Sequence, residues 1–137
     1  MSAAPLSDYL RLSYRPDLQL LFLRWTRPAT SAEHRAGYQA ALALARQEQA
    51  GRWLIDLRSR GLAEVADLRW VLQDFAAEFR AALPHAPRRI AYFTTPYHAE
   101  ILRPRLQELA PAAAPSELQV EVFTEEMPAH RWLLGPA

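Results

Sequence analysis

Runs of hydrophobic residues, some alternating with polar residues and some continuous, divide the chain into strands and helices. The stretch LRLSYRPDLQLLFLRW alternates over Leu10, Leu12 and Tyr14, and after the turn residues Pro16 and Asp17 it becomes apolar at nearly every position. This pattern predicts a hairpin whose first strand is half exposed and whose second strand is covered on both faces. Three further apolar runs, RWLIDL, RRIAYFTT and LQVEVFT, predict three more strands.

Two segments between these strands have helical spacing and helix-capping residues. TRPATSAEHRAGYQAALALARQEQAG predicts a helix with Thr30 or Ser31 as N-cap and an end at Gly51. ADLRWVLQDFAAEFRAAL repeats apolar residues at the three-and-four spacing of one helical face, with Asp67 as a candidate cap. Each helix would join one strand to the next.

Two more helices are predicted in the last third of the chain. TTPYHAEILRPRLQELA has Thr95 as cap, a proline at the first helical position and a second proline, Pro104, that should kink or split the helix. After the loop PAAAPSE and a strand, TEEMPAHRWLL predicts a short closing helix capped by Thr124.

The resulting order, ββαβαβαβα, predicts an α/β fold. Strands that alternate with helices require parallel crossovers, so we expect a single, mostly parallel β-sheet flanked by helices, with an antiparallel hairpin strand at the N-terminal side. The chain of 137 residues falls within the size range of one domain. We therefore expect a single domain over residues 1–137, with a core over about 10–134.

Composition narrows the possible functions. Cysteine is absent, which excludes disulfides, thiolate metal sites and a cysteine nucleophile. Sixteen basic residues against fifteen acidic ones give a net charge of +1, which argues against a nucleic-acid-binding protein. The first residues lack the pattern of a leader peptide, and no apolar run reaches the about 18 residues of a membrane span. We expect a soluble, cytoplasmic protein.

The element order, the acid that closes the strand LIDL and the closing stretch VFTEEMPAHRWLL resemble the SpoIIAA-like members of the STAS superfamily, including STAS/SEC14-type proteins. The resemblance covers about Leu10 to Leu134 and implies a four- to five-stranded sheet flanked by helices. It also implies a regulatory or protein-interaction module without catalysis of its own. Anti-sigma-factor antagonists of this family carry a phosphorylatable serine after an aspartate, but here Leu68 follows Asp67, and Ser59 lies too early in the chain to replace it.

Polar residues follow the predicted parallel strands at their carboxyl ends, where open α/β sheets tend to bind ligands. Arginines near hydroxyls and helix N-termini suit a carboxylate or a phosphate. The alternative is that these hydroxyls cap helices and that the arginines are solvated in loops. The candidate ligand-binding residues are Arg27, Arg58, Ser59, Arg60, Thr95 and His98.

Catalytic and metal-binding patterns have little support. Asp56, Ser59 and His98 supply the residue types of a catalytic triad, but there is no G-x-S-x-G motif to present the serine. The four histidines are scattered and have no metal-ligand spacing. We therefore expect neither an enzyme nor a cofactor.

One helix carries an aromatic residue on its predicted outer face. At about 100° per residue, Trp70 lies opposite the apolar stripe and beside Asp74, so it should face away from the sheet. Exposed tryptophan is enriched at protein interfaces, although single exposed apolar residues are also normal. The leading hypothesis is therefore a module that contacts a protein partner or a second copy of itself through Trp70 and Asp74. The alternative is a domain that binds a small anionic or lipid-like ligand.

Overall fold

A mixed β-sheet with helices on both faces forms the protein. The structure is a computed structural model and describes residues 4–5, 8–109 and 118–136, so the predicted loop over 111–117 lies outside the described residues. The strands are β1 (Ala4–Pro5), β2 (Leu10–Arg15), β3 (Leu20–Trp25), β4 (Arg52–Asp56), β5 (Arg89–Phe93) and β6 (Gln119–Phe123).

The strands lie side by side in the order of the chain, from β1 to β6. The first three are antiparallel, with Arg15 opposite Leu20 at the hairpin, and β3 to β6 are parallel. The predicted α/β class, the N-terminal hairpin and the parallel remainder of the sheet are therefore confirmed. The two-residue β1 was not predicted.

The helices are α1 (Ser31–Glu48), α2 (Val65–Trp70), α3 (Ala76–Ala82), α4 (Pro96–Leu109) and α5 (Glu126–Leu134). A π-helical turn, Val71–Phe75, joins α2 to α3, so the three pieces form one continuous helical segment.

Two of the predicted helix caps are confirmed and two are wrong. Thr30 forms a reciprocal capping box with Glu33, and the hydroxyl of Thr95 accepts a hydrogen bond from the backbone N–H of His98 at 3.3 Å. Asp67 does not cap α2, because the helix begins two residues earlier and Asp67 is buried inside it. Thr124 does not cap α5, whose N-cap is the following residue.

The larger hydrophobic core lies between one face of the sheet and α1 to α4. Alternate residues of the strands point to it, as the two-residue period of a strand requires. Its fully buried large side chains include Trp25, Tyr38, Trp53, Phe75 and Phe79. This face therefore has a continuous helical layer.

Of the helices that the structure describes, α5 alone packs on the opposite face. Ala129 and Leu133 of α5 pack on Leu20, Leu54 and other apolar side chains of the strands. Helix α5 lies mainly on β4, β5 and β6 and reaches only Leu20 and Phe22 of β3, so no described helix covers β2 and the rest of β3 on this face. In the part of the chain that the structure describes, no helix is both long and apolar enough to cross a membrane.

Candidate functional site

A groove of about 450 Å³ lies on the α5 face of the sheet. It lies beside the first turns of α5, over the part of β2 and β3 that no described helix covers. The same alternation that sends leucines of β2 into the larger core sends the residues between them to this face. The lining residues include Arg11, Ser13, Arg15, Phe22, Arg24, Leu54, Asp56, Arg58, Phe93, Glu126 and His130.

Asp56 and Arg58 are joined by three hydrogen bonds at the end of β4. One carboxylate oxygen of Asp56 accepts hydrogen bonds from the backbone N–H and the Nε of Arg58, at 3.0 and 3.1 Å, and the other accepts one from Nη2 at 2.9 Å. The Arg58 guanidinium lies 4.2 Å from the centre of the Phe93 ring. The end of β4 therefore holds the guanidinium of Arg58 against Phe93, which with Phe22 and Leu54 forms the apolar floor of the groove.

The charge of the Asp56 carboxyl is maintained by the arginines around it. Partial burial acts to raise the pKa of Asp56, but the hydrogen bonds from Arg58 and the charges of Arg58 and Arg24 outweigh it, so the pKa lies below its ordinary value. Asp56 is therefore ionised at neutral pH.

The remaining arginines of the groove differ in how they are paired. Arg15 is paired with Asp17 at 2.5 Å, while the Nε of Arg24 lies 3.9 Å from Asp56 and its side chain is 61% exposed. Arg11 forms no ion pair with the described residues. Arg11 and Arg24 thus have hydrogen-bond donors available to another molecule.

The wall formed by α5 carries a histidine and a carboxylate. The Nε2 of His130 lies 3.3 Å from a carboxylate oxygen of Glu126, one helical turn earlier. The His130 ring meets Phe22 edge to face, with 5.9 Å between ring centres. This contact continues the apolar floor up to α5.

A second polar cluster is buried on the other face of the sheet. Nη2 of Arg60 lies 2.8 Å from Nδ1 of His34, and both residues are more than nine-tenths buried. The hydroxyls of Tyr38 and Tyr92 are 2.7 Å apart. We call these four residues, His34, Tyr38, Arg60 and Tyr92, the buried polar cluster.

The predicted strand-end site is divided between the two faces. Arg58 opens to the groove, whereas Arg60 turns into the buried polar cluster. The cause is the turn after β4, in which the backbone N–H groups of Arg60 and Gly61 both donate to the carbonyl of Leu57 at 3.0 Å. Ser59, between the two arginines, is exposed.

The other predicted ligand-binding residues have structural partners. The guanidinium of Arg27 donates to Glu33 and Asp8 at 3.0 and 3.1 Å, so two carboxylates already occupy it. Thr95 caps α4, and the Nδ1 of His98 is buried without a hydrogen-bond partner among the described residues. None of these three lines the groove.

Trp70 does not face outward as predicted. It is half buried and packs edge to face on His34 and Tyr38 of α1, while Arg35 covers its ring at 5.4 Å. The prediction assumed a uniform α-helix, but α1 lies alongside α2 and the following π-turn changes the angular spacing. Asp74 remains exposed.

Sequence reasoning missed the arginines of β2 and β3. The alternation that identified β2 as half exposed also places Arg11, Ser13 and Arg15 on one face, and that signal was available. It was not available for His34, Tyr38 and Tyr92, whose meeting depends on how α1 packs on β5.

Comparison with known proteins adds no relative: no family model, no curated protein and no solved structure matches this chain. Among the described residues, no group of three or more histidines and carboxylates is placed to hold a metal ion.

Proposed function

We propose that this protein is a non-catalytic binding module whose groove on the α5 face takes a small amphipathic anion. The observation that supports this proposal is the combination of an apolar floor with arginines around it in one concave space. The volume of about 450 Å³ lies in the range of about 300–1,000 Å³ that is common for small-molecule sites.

The floor offers apolar contact. Phe22, Leu54 and Phe93 line the groove and belong to the smaller hydrophobic core under α5. An alkyl or aryl group that covered them would be removed from water, which contributes about 25 cal/mol for each Å² of apolar surface buried. This part of the groove selects for an apolar tail.

The arginines around the groove, which form its rim, favour a ligand with a negatively charged group. Four arginines line the groove, at positions 11, 15, 24 and 58, against the two carboxylates of Asp56 and Glu126. A guanidinium binds a carboxylate or a phosphate with two parallel hydrogen bonds. Arg58 and Arg15 have carboxylate partners at 2.9 and 2.5 Å, whereas Arg24 is 3.9 Å from Asp56, so Arg11 and Arg24 are the residues that would hold the head group.

The leading hypothesis from the sequence, contact with a protein partner through Trp70, required Trp70 to face outward. Trp70 packs against α1 instead, so this basis for the hypothesis is absent. A regulatory role, as the STAS-like resemblance implies, is compatible with a module that responds to a small ligand.

The proposal is tested by thermal unfolding with dodecanoate, dodecyl phosphate and uncharged dodecanol, each below its micelle or solubility limit. Both anions should raise the melting temperature, and dodecanol should raise it much less. A ligand that binds only the folded state adds about 2.7 kcal/mol of stability at 100 times its dissociation constant. Native mass spectrometry of the same samples should show one bound ligand per chain.

Substitution of the rim arginines locates the binding. The double variant Arg11→Ala/Arg24→Ala should lose most of the shift, whereas Arg69→Ala, an exposed arginine on α2, should keep it. The proposal is wrong if dodecanol stabilises as strongly as dodecanoate, or if the double variant binds both anions like the parent protein.

A further inference from the structure

A small cavity adjoins the buried polar cluster at the carboxyl ends of β3, β4 and β5. It has about 20 Å³ of free space, and about 10–15 Å³ is enough for one water-sized particle. It is separate from the groove, which lies on the other face of the sheet. The residues that line it are Trp25, His34, Tyr38, Leu57, Arg60, Leu62, Ala63, Leu68, Tyr92 and Leu102.

Arg60 brings a positive charge to this cavity. It is 6% exposed, and its guanidinium lies 5.0 Å from the centre of the Trp25 ring. A guanidinium has five N–H donors, of which one is used by His34. Among the residues that the structure describes, no carboxylate forms an ion pair with Arg60. Burial lowers the pKa of Arg60, as expected for a charge taken out of water.

His34 is a neutral partner and does not balance this charge. Burial and the charge of Arg60 lower the pKa of His34 to about 4. At neutral pH its Nδ1 accepts the hydrogen bond from Arg60, and the ring proton is therefore on Nε2.

The two tyrosines contribute one more donor. Burial raises the pKa of both Tyr38 and Tyr92, in the second case to about 12, so both hydroxyls keep their protons at neutral pH. One hydroxyl donates to the other across 2.7 Å. The accepting tyrosine then has its own O–H proton available, and both rings line the cavity.

Among the described residues, the negative group near the cluster is the carboxylate of Asp67. It accepts a hydrogen bond from the Ser31 hydroxyl at 2.8 Å and is not among the residues that line the cavity. Its charge affects the pKa of His34 less than the charge of Arg60 does. Asp67 also acts to raise the pKa of Arg60, but burial outweighs it and the pKa of Arg60 stays below its ordinary value.

A cavity with a buried guanidinium and a hydroxyl donor, and with no carboxylate in its lining, is suited to a negative particle of about the size of water. We propose that this cavity binds one small monovalent anion, such as chloride, held by the Arg60 guanidinium and the free hydroxyl proton of the Tyr38–Tyr92 pair. This site does not depend on the proposed ligand of the groove.

Crystals of the full chain grown in sodium bromide test the position of the anion directly. An anomalous bromide peak is expected within contact distance of a guanidinium nitrogen of Arg60, where a charge-assisted hydrogen bond would hold the anion. Absence of a peak there in crystals at 0.5 M bromide would overturn the proposal.

Thermal unfolding in chloride and in gluconate, at equal ionic strength, tests binding in solution. The melting temperature should rise with chloride by about 3–6 °C for each tenfold increase above the dissociation constant, because the folded state alone has the site. Equal melting temperatures in the two salts would contradict chloride binding.

Variants connect this effect to the cavity. Tyr38→Phe/Tyr92→Phe removes both hydroxyls and leaves no unpaired partner, so it should fold and lose most of the chloride effect. Arg60→Met should abolish the effect if it folds. Arg11→Ala/Arg24→Ala should keep it, because these arginines are in the groove. A chloride effect that persists in the tyrosine double variant and in Arg60→Met would refute the assignment.

Discussion

At the scale of single residues, Gly37 shows how closely α1 packs on the sheet. A Cβ atom at this position would lie 2.6 Å from Cη2 of Trp25 and 2.9 Å from Cδ2 of Leu10. In an exposed helix interior, Gly→Ala stabilises by about 0.5–1 kcal/mol. Here we expect Gly37→Ala to destabilise the protein by about 1–3 kcal/mol, because it overpacks the core.

Urea unfolding measures this change in the free energy of unfolding. Ala36→Gly, at the exposed neighbouring position of α1, is the control and should cost about 0.5–1 kcal/mol through helix propensity alone. A Gly37→Ala variant more stable than the parent protein would show that the contact with Trp25 is not tight.

His34 should make stability depend on pH. Its pKa of about 4 in the folded protein is below the ordinary value of 6.5, so between these values the unfolded chain binds a proton that the folded protein does not. The contribution of neutral His34 is complete above pH 6.5 and is lost as pH falls towards 4, by about 3 kcal/mol in total.

Comparison with His34→Gln isolates this dependence, since glutamine can also accept a hydrogen bond from Arg60 but does not titrate. The difference in unfolding free energy between the two proteins should change by about 1.4 kcal/mol per pH unit from pH 6.5 to 4. Parallel pH curves for the two proteins would mean that His34 has an ordinary pKa in the folded state.

Individual roles were the hardest features to predict from the sequence. Thr30 and Thr95 were identified as caps because a cap depends on neighbours in sequence. Asp67 looked like a cap for the same reason, yet its partner is Ser31, which is 36 residues away. Such pairs depend on the packing of helices on the sheet, which local patterns do not encode.

At the scale of elements, the end of α1 is another feature that the sequence did not predict correctly. The sequence placed it at Gly51, but the left-handed residue that ends the helix is Gln49, with φ of 56°. Gly51 is needed for a different reason: a Cβ there would lie 2.1 Å from the carbonyl oxygen of Pro87. The glycine was interpreted as the residue that ends the helix. It is needed instead because two backbone segments approach each other closely there.

The left-handed conformation of Gln49 predicts a stabilising substitution. Glycine adopts this conformation without the cost of about 1 kcal/mol or more that other residues bear. Gln49→Gly should therefore stabilise the protein by about 0.5–1 kcal/mol, although it loses the hydrogen bond from the Gln49 side chain to the Arg46 carbonyl. Gln49→Ala loses that bond without relieving the backbone, so in urea unfolding it should be no more stable than the parent. Equal stability of the two variants would contradict this account.

The bounds of most elements followed from local patterns. Pro104 was expected to kink or split helix α4, and the helix is not split, since it runs from Pro96 to Leu109 with Pro104 inside it. The π-turn at Val71–Phe75 had no signal that the sequence analysis could use. The predicted contact surface assumed a uniform helical spacing from Trp70 to the apolar residues that follow it, and this turn interrupts that spacing.

At the scale of the whole molecule, the order of strands and helices was sufficient to predict the α/β class and the mixed sheet. It did not predict how the helices divide between the faces, since that depends on the crossovers. Helices α1 to α4 cover one face, and the groove exists because α5 covers only part of the other. Of the predicted ligand-binding residues, Arg58 lines this groove at the end of β4, and the others do not line it.

Because of this division, the apolar strand residues on the α5 face depend on α5 for their burial. Leu133 is fully buried between α5 and the sheet, while its neighbour Leu134 is 43% exposed. Leu133→Ala should cost about 2–5 kcal/mol through the lost contact and the cavity it leaves. Leu134→Ala, the same change one residue later, should cost much less because most of its environment is water.

Hydrogen exchange followed by mass spectrometry shows which helices Leu133→Ala destabilises. Since α5 is held by one apolar strip and the caps from Arg89 to the carbonyls of Trp132 and Gly135, it can open without the larger core. In Leu133→Ala the amides of α5 should lose protection first, whereas those of α1 should stay protected under the same conditions. If α1 and α5 lost protection together, the two faces would unfold as one unit and the groove could not open independently of the larger core.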